Sequence, residues 1–232
     1  MTQELRKTIR ALWSRADLTN RRVERTQNRT NVFDQLTGAD YISLSALLAG
    51  WGSALLFVSE EPNWALLTMF LAFFLDKLNG WYARRTQTSS PFGRQVDSFI
   101  DIFAYLVPAV LLYHVFLAPN VLASLVVGFL VFAFGGLRLI RHNNEGFGSD
   151  DGDSYYHGTT VVHTNLVVVA NYVLLLFVGV WNGWVAGVVI GAVCPLMVSD
   201  YKSYKTHLSH VLAGLVVVLA GSLALALEFG YL

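Results

Sequence analysis

Charge is what this chain has least of. Lys, Arg, Asp and Glu make up 14% of its 232 residues, whereas a soluble domain carries about 25%. Cysteine occurs once, at Cys194, so no intrachain disulfide can form. Proline occurs five times, and most of the long apolar runs contain none. The first 40 residues are basic and polar and lack the apolar core of a cleavable signal peptide. Hydrophobic residues fill the space that charge leaves, at 54%, and mean hydropathy is +0.49. A soluble globular class is excluded.

Seven stretches approach the roughly 20 residues a helix needs to cross about 30 Å of hydrocarbon. They run at Tyr41–Val58, Asn63–Tyr82, Asp97–Leu117, Asn120–Ile140, Thr160–Trp181, Trp184–Ser199 and Ser209–Phe229. The expected fold is therefore an all-α polytopic transmembrane bundle of six to eight spans, residues 41–232. A basic arm, residues 1–40, precedes it. Within that arm Leu5, Ile9, Leu12 and Trp13 recur at helical spacing, as in a helix lying on an anionic membrane surface.

Net charge is zero and says nothing about partners, but its distribution does. Of the 16 Lys and Arg, eight precede the first span. The other eight are Lys77, Arg84, Arg85, Arg94, Arg138, Arg141, Lys202 and Lys205, all in alternate connections or at the helix ends beside them. The intervening connections carry none. The positive-inside rule then puts the N-terminus and those connections in the cytoplasm of a multi-pass cell-membrane protein. The polar loop 142–158 lies on the same side, and its DDGD cluster lacks the spacing of a calcium loop.

One window breaks the apolar pattern. On a helix Asp76, Asn79, Gly80 and Ala83 share a face, and beyond Pro91 and Gly93 a second helix places Asp97 and Asp101 at i and i+4. Two antiparallel helices can bring three carboxylates and an amide to one point, with small residues leaving room for a ligand. Unpaired carboxylates repel strongly at low dielectric. Hard divalent cations shared with phosphate relieve this, and Arg84, Arg85 and Arg94 flank the window. Taken singly, each residue has a plainer role: Gly80 and Ala83 as helix packing, Asp97 as a cap, the arginines as boundary charges.

The window resembles the signature of the CDP-alcohol phosphatidyltransferase family, D-x2-D-G-x2-A-R-x8-G-x3-D-x3-D. Asp76, Gly80, Ala83, Arg84, Gly93, Asp97 and Asp101 match it, and Asn79 stands at the second aspartate. The resemblance implies a membrane enzyme that moves a phosphatidyl-type group from a CDP-linked lipid to an alcohol and releases CMP. It implies two divalent ions, Mg²⁺ or Mn²⁺, on Asp76, Asn79, Asp97 and Asp101, with Asp101 as general base. It also implies a nucleotide site at Gly80, Ala83, Arg84 and Gly93. Asn79 brings an oxygen without charge, so weaker metal binding or an inactive CDP-lipid-binding homologue is the alternative.

The acceptor is read from two later segments. GGLRLIRHN (135–143) and PLMVSDYKSYK (195–205) resemble segments of phosphatidylserine synthases, which implies serine. YYHGTT (155–160) is a weaker match to a family segment. Arg138 and Arg141 share a helix face and suit a carboxylate or lipid phosphate, or else snorkel at the boundary. Lys202 and Lys205 bind lipid phosphate or anchor a helix. Inositol phosphate and glycerol phosphate are the alternative acceptors. The expected partners are a CDP-lipid, a small alcohol, membrane lipid and, by resemblance, a second copy of the chain; nucleic acid is not among them. A cation transporter would spread its carboxylates through the membrane depth, whereas these cluster at two helix ends.

Overall fold

Prolines and glycines mark where the helices of the computed structural model begin and end. The structure describes residues 31–150, 153–204 and 206–231; the basic arm up to residue 30, part of the DDGD cluster and Lys205 lie outside them. After a short 3-10 turn, Val32–Gln35, helix α1 spans Gly38–Val58. Helix α2, Pro62–Thr86, starts on its proline and closes at Gln87, whose φ of 54° is left-handed. Helix α3, Pro91–Asp101, is capped by the Ser90 side chain, which accepts from the Gly93 amide. The sequence SSPFG thus supplies a cap, an N1 proline and a glycine together.

From Asp101 the rod continues through a π turn, Ile102–Leu106, into α4, Val107–Leu112, and a second π turn, Tyr113–Leu117. Pro108 accounts for the first widening. It has no N–H for the carbonyl of Ala104 and its ring crowds that carbonyl, so the helix opens upstream. Helix α5 is Val121–Glu145 and α6 Val161–Phe177. Helix α7, Gly183–Val193, runs into a 3-10 turn, Cys194–Val198, and α8 is His207–Glu228.

The described helices follow the seven expected spans and form an all-α bundle. By length and composition Gly38–Val58, Pro91–Leu117, Val121–Glu145 and Val211–Glu228 are long and apolar enough to cross a membrane. Helix α6 and the segment Gly183–Val198 are shorter apolar helices, and α2 carries its charges at one end. One element goes beyond expectation. The polar connection 142–158 folds into two strands, β1 (Gly148–Asp150) and β2 (Asp153–His157), joined by β3 (Lys202–Tyr204) in an antiparallel sheet of order β1-β2-β3.

Packing follows membrane rules. Along α1 the buried positions Ser43, Ala46, Ala49, Gly50, Ser53 and Ala54 are small, which lets backbones approach closely where no solvent drives association. A Cβ on Gly50 would stand 2.6 Å from the Phe103 carbonyl oxygen. The Ser53 hydroxyl donates to the Ala65 carbonyl at 2.8 Å. Phe57, Met69, Leu106, Leu112, Ile190 and Met197 are fully buried between the helices, whereas Leu48, Leu122, Leu125, Phe129 and Val188 face outward. Apolar side chains on both faces are what a lipid-embedded bundle requires.

Candidate active site

Residues 38–232 form one compact unit, and within it the inner ends of α2, α3 and α5 enclose a cavity of about 520 Å³ with α6 and the sheet. Three carboxylates line it: Asp76 from α2, and Asp97 and Asp101 from α3. Gly80, Arg84, Arg94 and Arg138 are also on its wall. The two helices thus bring together, across the Pro91 break, residues that the i, i+4 spacing placed on facing stripes.

Neighbouring polar groups hold these carboxylates. The Tyr105 hydroxyl donates to Asp76 Oδ2 at 2.8 Å, and Lys77 Nζ lies 2.9 Å from the same oxygen. The Asn79 amide donates to Asp97 Oδ1 at 2.9 Å. Asp101 takes no hydrogen bond from any described residue, which leaves its carboxylate open to accept a proton. Asn79 is itself buried and off the cavity wall. It stands here as a donor that orients Asp97.

The two motif glycines do different work. Gly80 is on the wall, and a Cβ there would come 3.2 Å from Arg84 Nη1, so its lack of side chain lets Arg84 fold across it. Gly93 is off the wall. A Cβ at Gly93 would meet Asp40 Oδ1 at 3.1 Å and Ser90 Oγ at 3.2 Å, and Asp40 is a buried residue in the first turn of α1. Gly93 therefore serves the joint between α1 and α3. Ala83 too is absent from the cavity.

Of the four basic residues assigned to an acceptor or lipid phosphate, the three that are described, Arg138, Arg141 and Lys202, separate. Arg138 is 4% exposed and its Nε has no hydrogen-bond partner, although its guanidinium lies 5.3 Å from the centre of the Tyr156 ring. Leaving a buried donor unmade costs about 1–3 kcal/mol, so this side chain is prepared for an anion. Arg141 is already spent. Its Nη1 donates to the Val198 carbonyl at 2.9 Å, and its Nη2 to the carbonyls of His157, Met197 and Ser199 at 2.6, 3.2 and 3.1 Å. It ties α5 to β2 and to the turn after α7. Lys202 is bonded to Asp150 across the sheet, 2.5 Å away, and Ser203 and Tyr204 line the cavity in its place.

The sheet closes one side of the site. Phe147, Tyr156 and His142 form a ring cluster with centroids 4.9–5.5 Å apart, and all three line the cavity. Burial pushes the Tyr156 phenol above its usual pKa, so it stays neutral beside Arg138. Lys77, Tyr105, Asn143 and His163 complete the polar wall and escape the sequence reading. For Tyr105 a signal existed, since it continues the Asp97, Asp101 stripe at i+8. For the others only tertiary placement reveals the role.

Among the described residues no three Asp, Glu, His or Cys side chains are gathered closely enough to cage an ion. The donor set on the wall nonetheless fits a hard divalent cation in kind, because Asp76, Asp97 and Asp101 offer carboxylate oxygens and the cavity leaves room for substrate oxygens.

The family model for CDP-alcohol phosphatidyltransferase matches residues 36–198. The chain belongs to this family. Archaetidylserine synthase of Methanothermobacter thermautotrophicus is 34% identical over 107 residues, 45% of this chain and 46% of that protein. A CDP-diacylglycerol–serine O-phosphatidyltransferase of Methanocaldococcus jannaschii is 33% identical over 107 residues, 46% of this chain and 48% of its own. One from Helicobacter pylori is 31% identical over 117 residues, 50% and 47% of the two chains. The chain spans about half the length of the curated relatives it matches.

Proposed function

We propose that this protein transfers a phosphatidyl or archaetidyl group from a CDP-linked lipid to the hydroxyl of serine, releasing CMP. The observation that carries the reading is the cavity in which three motif carboxylates meet Arg84, Arg94 and the buried, unpartnered Nε of Arg138. Such a wall suits a pyrophosphate at one end and a small carboxylated acceptor at the other. The names of the three relatives support serine as that acceptor.

Arg84, folded across Gly80, and Arg94 bind the pyrophosphate oxygens, and the cavity beside them admits the nucleotide. Arg138 takes the serine carboxylate through charge-assisted hydrogen bonds, which fixes the hydroxyl near Asp101. The Asp101 carboxylate accepts the hydroxyl proton as the serine oxygen attacks the lipid-side phosphorus. The new O–P bond forms while the bond from that phosphorus to CMP breaks, and the proton passes from Asp101 to solvent. Mg²⁺ or Mn²⁺ on Asp76, Asp97 and Asp101 would supply charge against the leaving phosphate. The aromatic cluster under the sheet keeps water, a competing acceptor, from the phosphorus. The lipid tails leave towards α8, whose Ala213 and Gly214 are on the wall.

We place this site at the cytoplasmic face of the cell membrane, from the distribution of Lys and Arg. The test is CMP release by purified protein from CDP-diacylglycerol or CDP-archaeol with Mg²⁺ or Mn²⁺, with serine, inositol phosphate or glycerol phosphate added separately. Serine-dependent release that disappears in Asp101→Asn is the expected result. Release with a phosphorylated acceptor alone would move the acceptor assignment, and no release from folded protein would favour an inactive CDP-lipid binder.

A further inference from the structure

Asn165 is a buried polar side chain that takes no part in the proposed transfer. It sits on α6 among Val161, Val168 and Val169 and is 4% exposed. An amide in such surroundings is costly unless it is hydrogen-bonded. Its Nδ2 lies 2.9 Å from the carbonyl oxygen of Tyr105 and 3.3 Å from Met69 Sδ.

That carbonyl lies where the helix ladder is disturbed. In the π turn Ile102–Leu106 the Val107 amide reaches back to the Ile102 carbonyl, five residues away, and Pro108 offers no amide at all. A π turn adds one residue to the helix, a rotation of about 100° between the helical segments on its two sides. Asp101 lies immediately before that turn and Tyr105 inside it. The Tyr105 hydroxyl donates to Asp76 Oδ2. One residue thus carries both ends of a link: its backbone is held by α6, and its side chain holds a carboxylate on α2.

We propose that Asn165 is a positioning residue that acts through Tyr105 to fix the Asp76 carboxylate on the cavity wall. The inference rests on the transferase reading for its effect on rate, and on geometry alone for the link itself. Asn165 touches neither the cavity nor a substrate; its influence passes from the amide to the Tyr105 carbonyl and from the phenol to Asp76.

A double-mutant cycle tests it. Asn165→Leu, Tyr105→Phe and the double variant are compared for kcat and KM in serine-dependent CMP release. Asn165→Leu is expected to lower kcat about tenfold with KM for serine changed less than twofold, a drop of roughly 1.4 kcal/mol in transition-state binding. On the Tyr105→Phe background the same substitution should cost less than twofold. Asn165→Gln, which keeps the amide donor, should recover part of the rate. An equal loss with and without the Tyr105 hydroxyl would overturn the proposal, as would an effect confined to KM. The link is also read without turnover, by hydrogen exchange across 102–110. Asn165→Leu should speed exchange there while Tyr105→Phe does not. Unchanged exchange in Asn165→Leu would sink the link even if the protein has no transferase activity, and a wild type that releases no CMP would sink the transferase reading alone.

Discussion

At the scale of single residues, side chains that face the cavity with a group to offer separate from side chains that hold their neighbours. Arg138 and Arg141 share a helix face, yet one guanidinium is bonded to four carbonyls and the other has a buried N–H to offer. Arg138→Gln should raise KM for serine about tenfold or more with a smaller change in kcat, since charge-assisted hydrogen bonds are worth about 1.5–3 kcal/mol. Arg141→Gln should instead lower thermal stability, read as Tm in detergent, by orphaning carbonyls at the α5–β2 joint. Gly93→Ala should cost about 1–3 kcal/mol of stability through overpacking against Asp40 and Ser90, measured by the same melting curve. Asn79→Asp would replace the donor on Asp97 with a second carboxylate. Divalent-ion affinity, measured by calorimetry, should then rise while stability without added metal falls, because like charges at that distance repel.

At the scale of elements, the sheet is the part of the fold with an accessible pH handle. The Asp150 carboxyl is held below its usual pKa by the Lys202 hydrogen bond and charge, and Lys202 is raised above its own by the same bond. The depressed carboxyl gives stability that is present above its unfolded pKa of about 4 and lost as pH falls through its lower folded value. The raised lysine gives stability present below its unfolded pKa of about 10.4 and lost as pH rises through its higher folded value. Between those limits the clasp is constant. Hydrogen exchange in 148–150 and 202–204 should therefore be insensitive to this pair from about pH 6 to 9 and increase below about pH 4. Lys202→Met should give the low-pH exchange pattern at neutral pH.

At the scale of the whole molecule, the bundle puts a charged cavity at one end of an apolar body. Phe57, Met69, Leu112 and Ile190 are buried between the helices, and residues such as Leu122, Phe129 and Val188 face outward, as suits a surrounding of lipid. Carboxylates are tolerated where cations, phosphate and water reach them, and costly deeper in. The proposed cytoplasmic placement of the site has a direct consequence for labelling. Cys194 is buried, so a cysteine introduced at Ser90, between α2 and α3, can be read against a quiet background. A membrane-impermeant maleimide should label Ser90→Cys in inverted vesicles and leave it unlabelled in intact cells. A cysteine at Ser59 should show the opposite pattern.

The sequence by itself determined the apolar helical bundle, the SSPFG break and the carboxylate stripe of Asp76, Asp97 and Asp101. These depend on local spacing and on transfer free energy per residue, which a linear chain displays. Only the tertiary structure decided that 155–157 pairs with 202–204 in a sheet, because strand pairing between distant polar segments has no periodic trace in either one. It also decided that Gly93 makes room for Asp40, that Asn79 faces Asp97, and that Arg141 is consumed by carbonyls while Arg138 is not. Each of these depends on what another helix presents at the same depth, and helical periodicity gives the face of a residue without giving its neighbour.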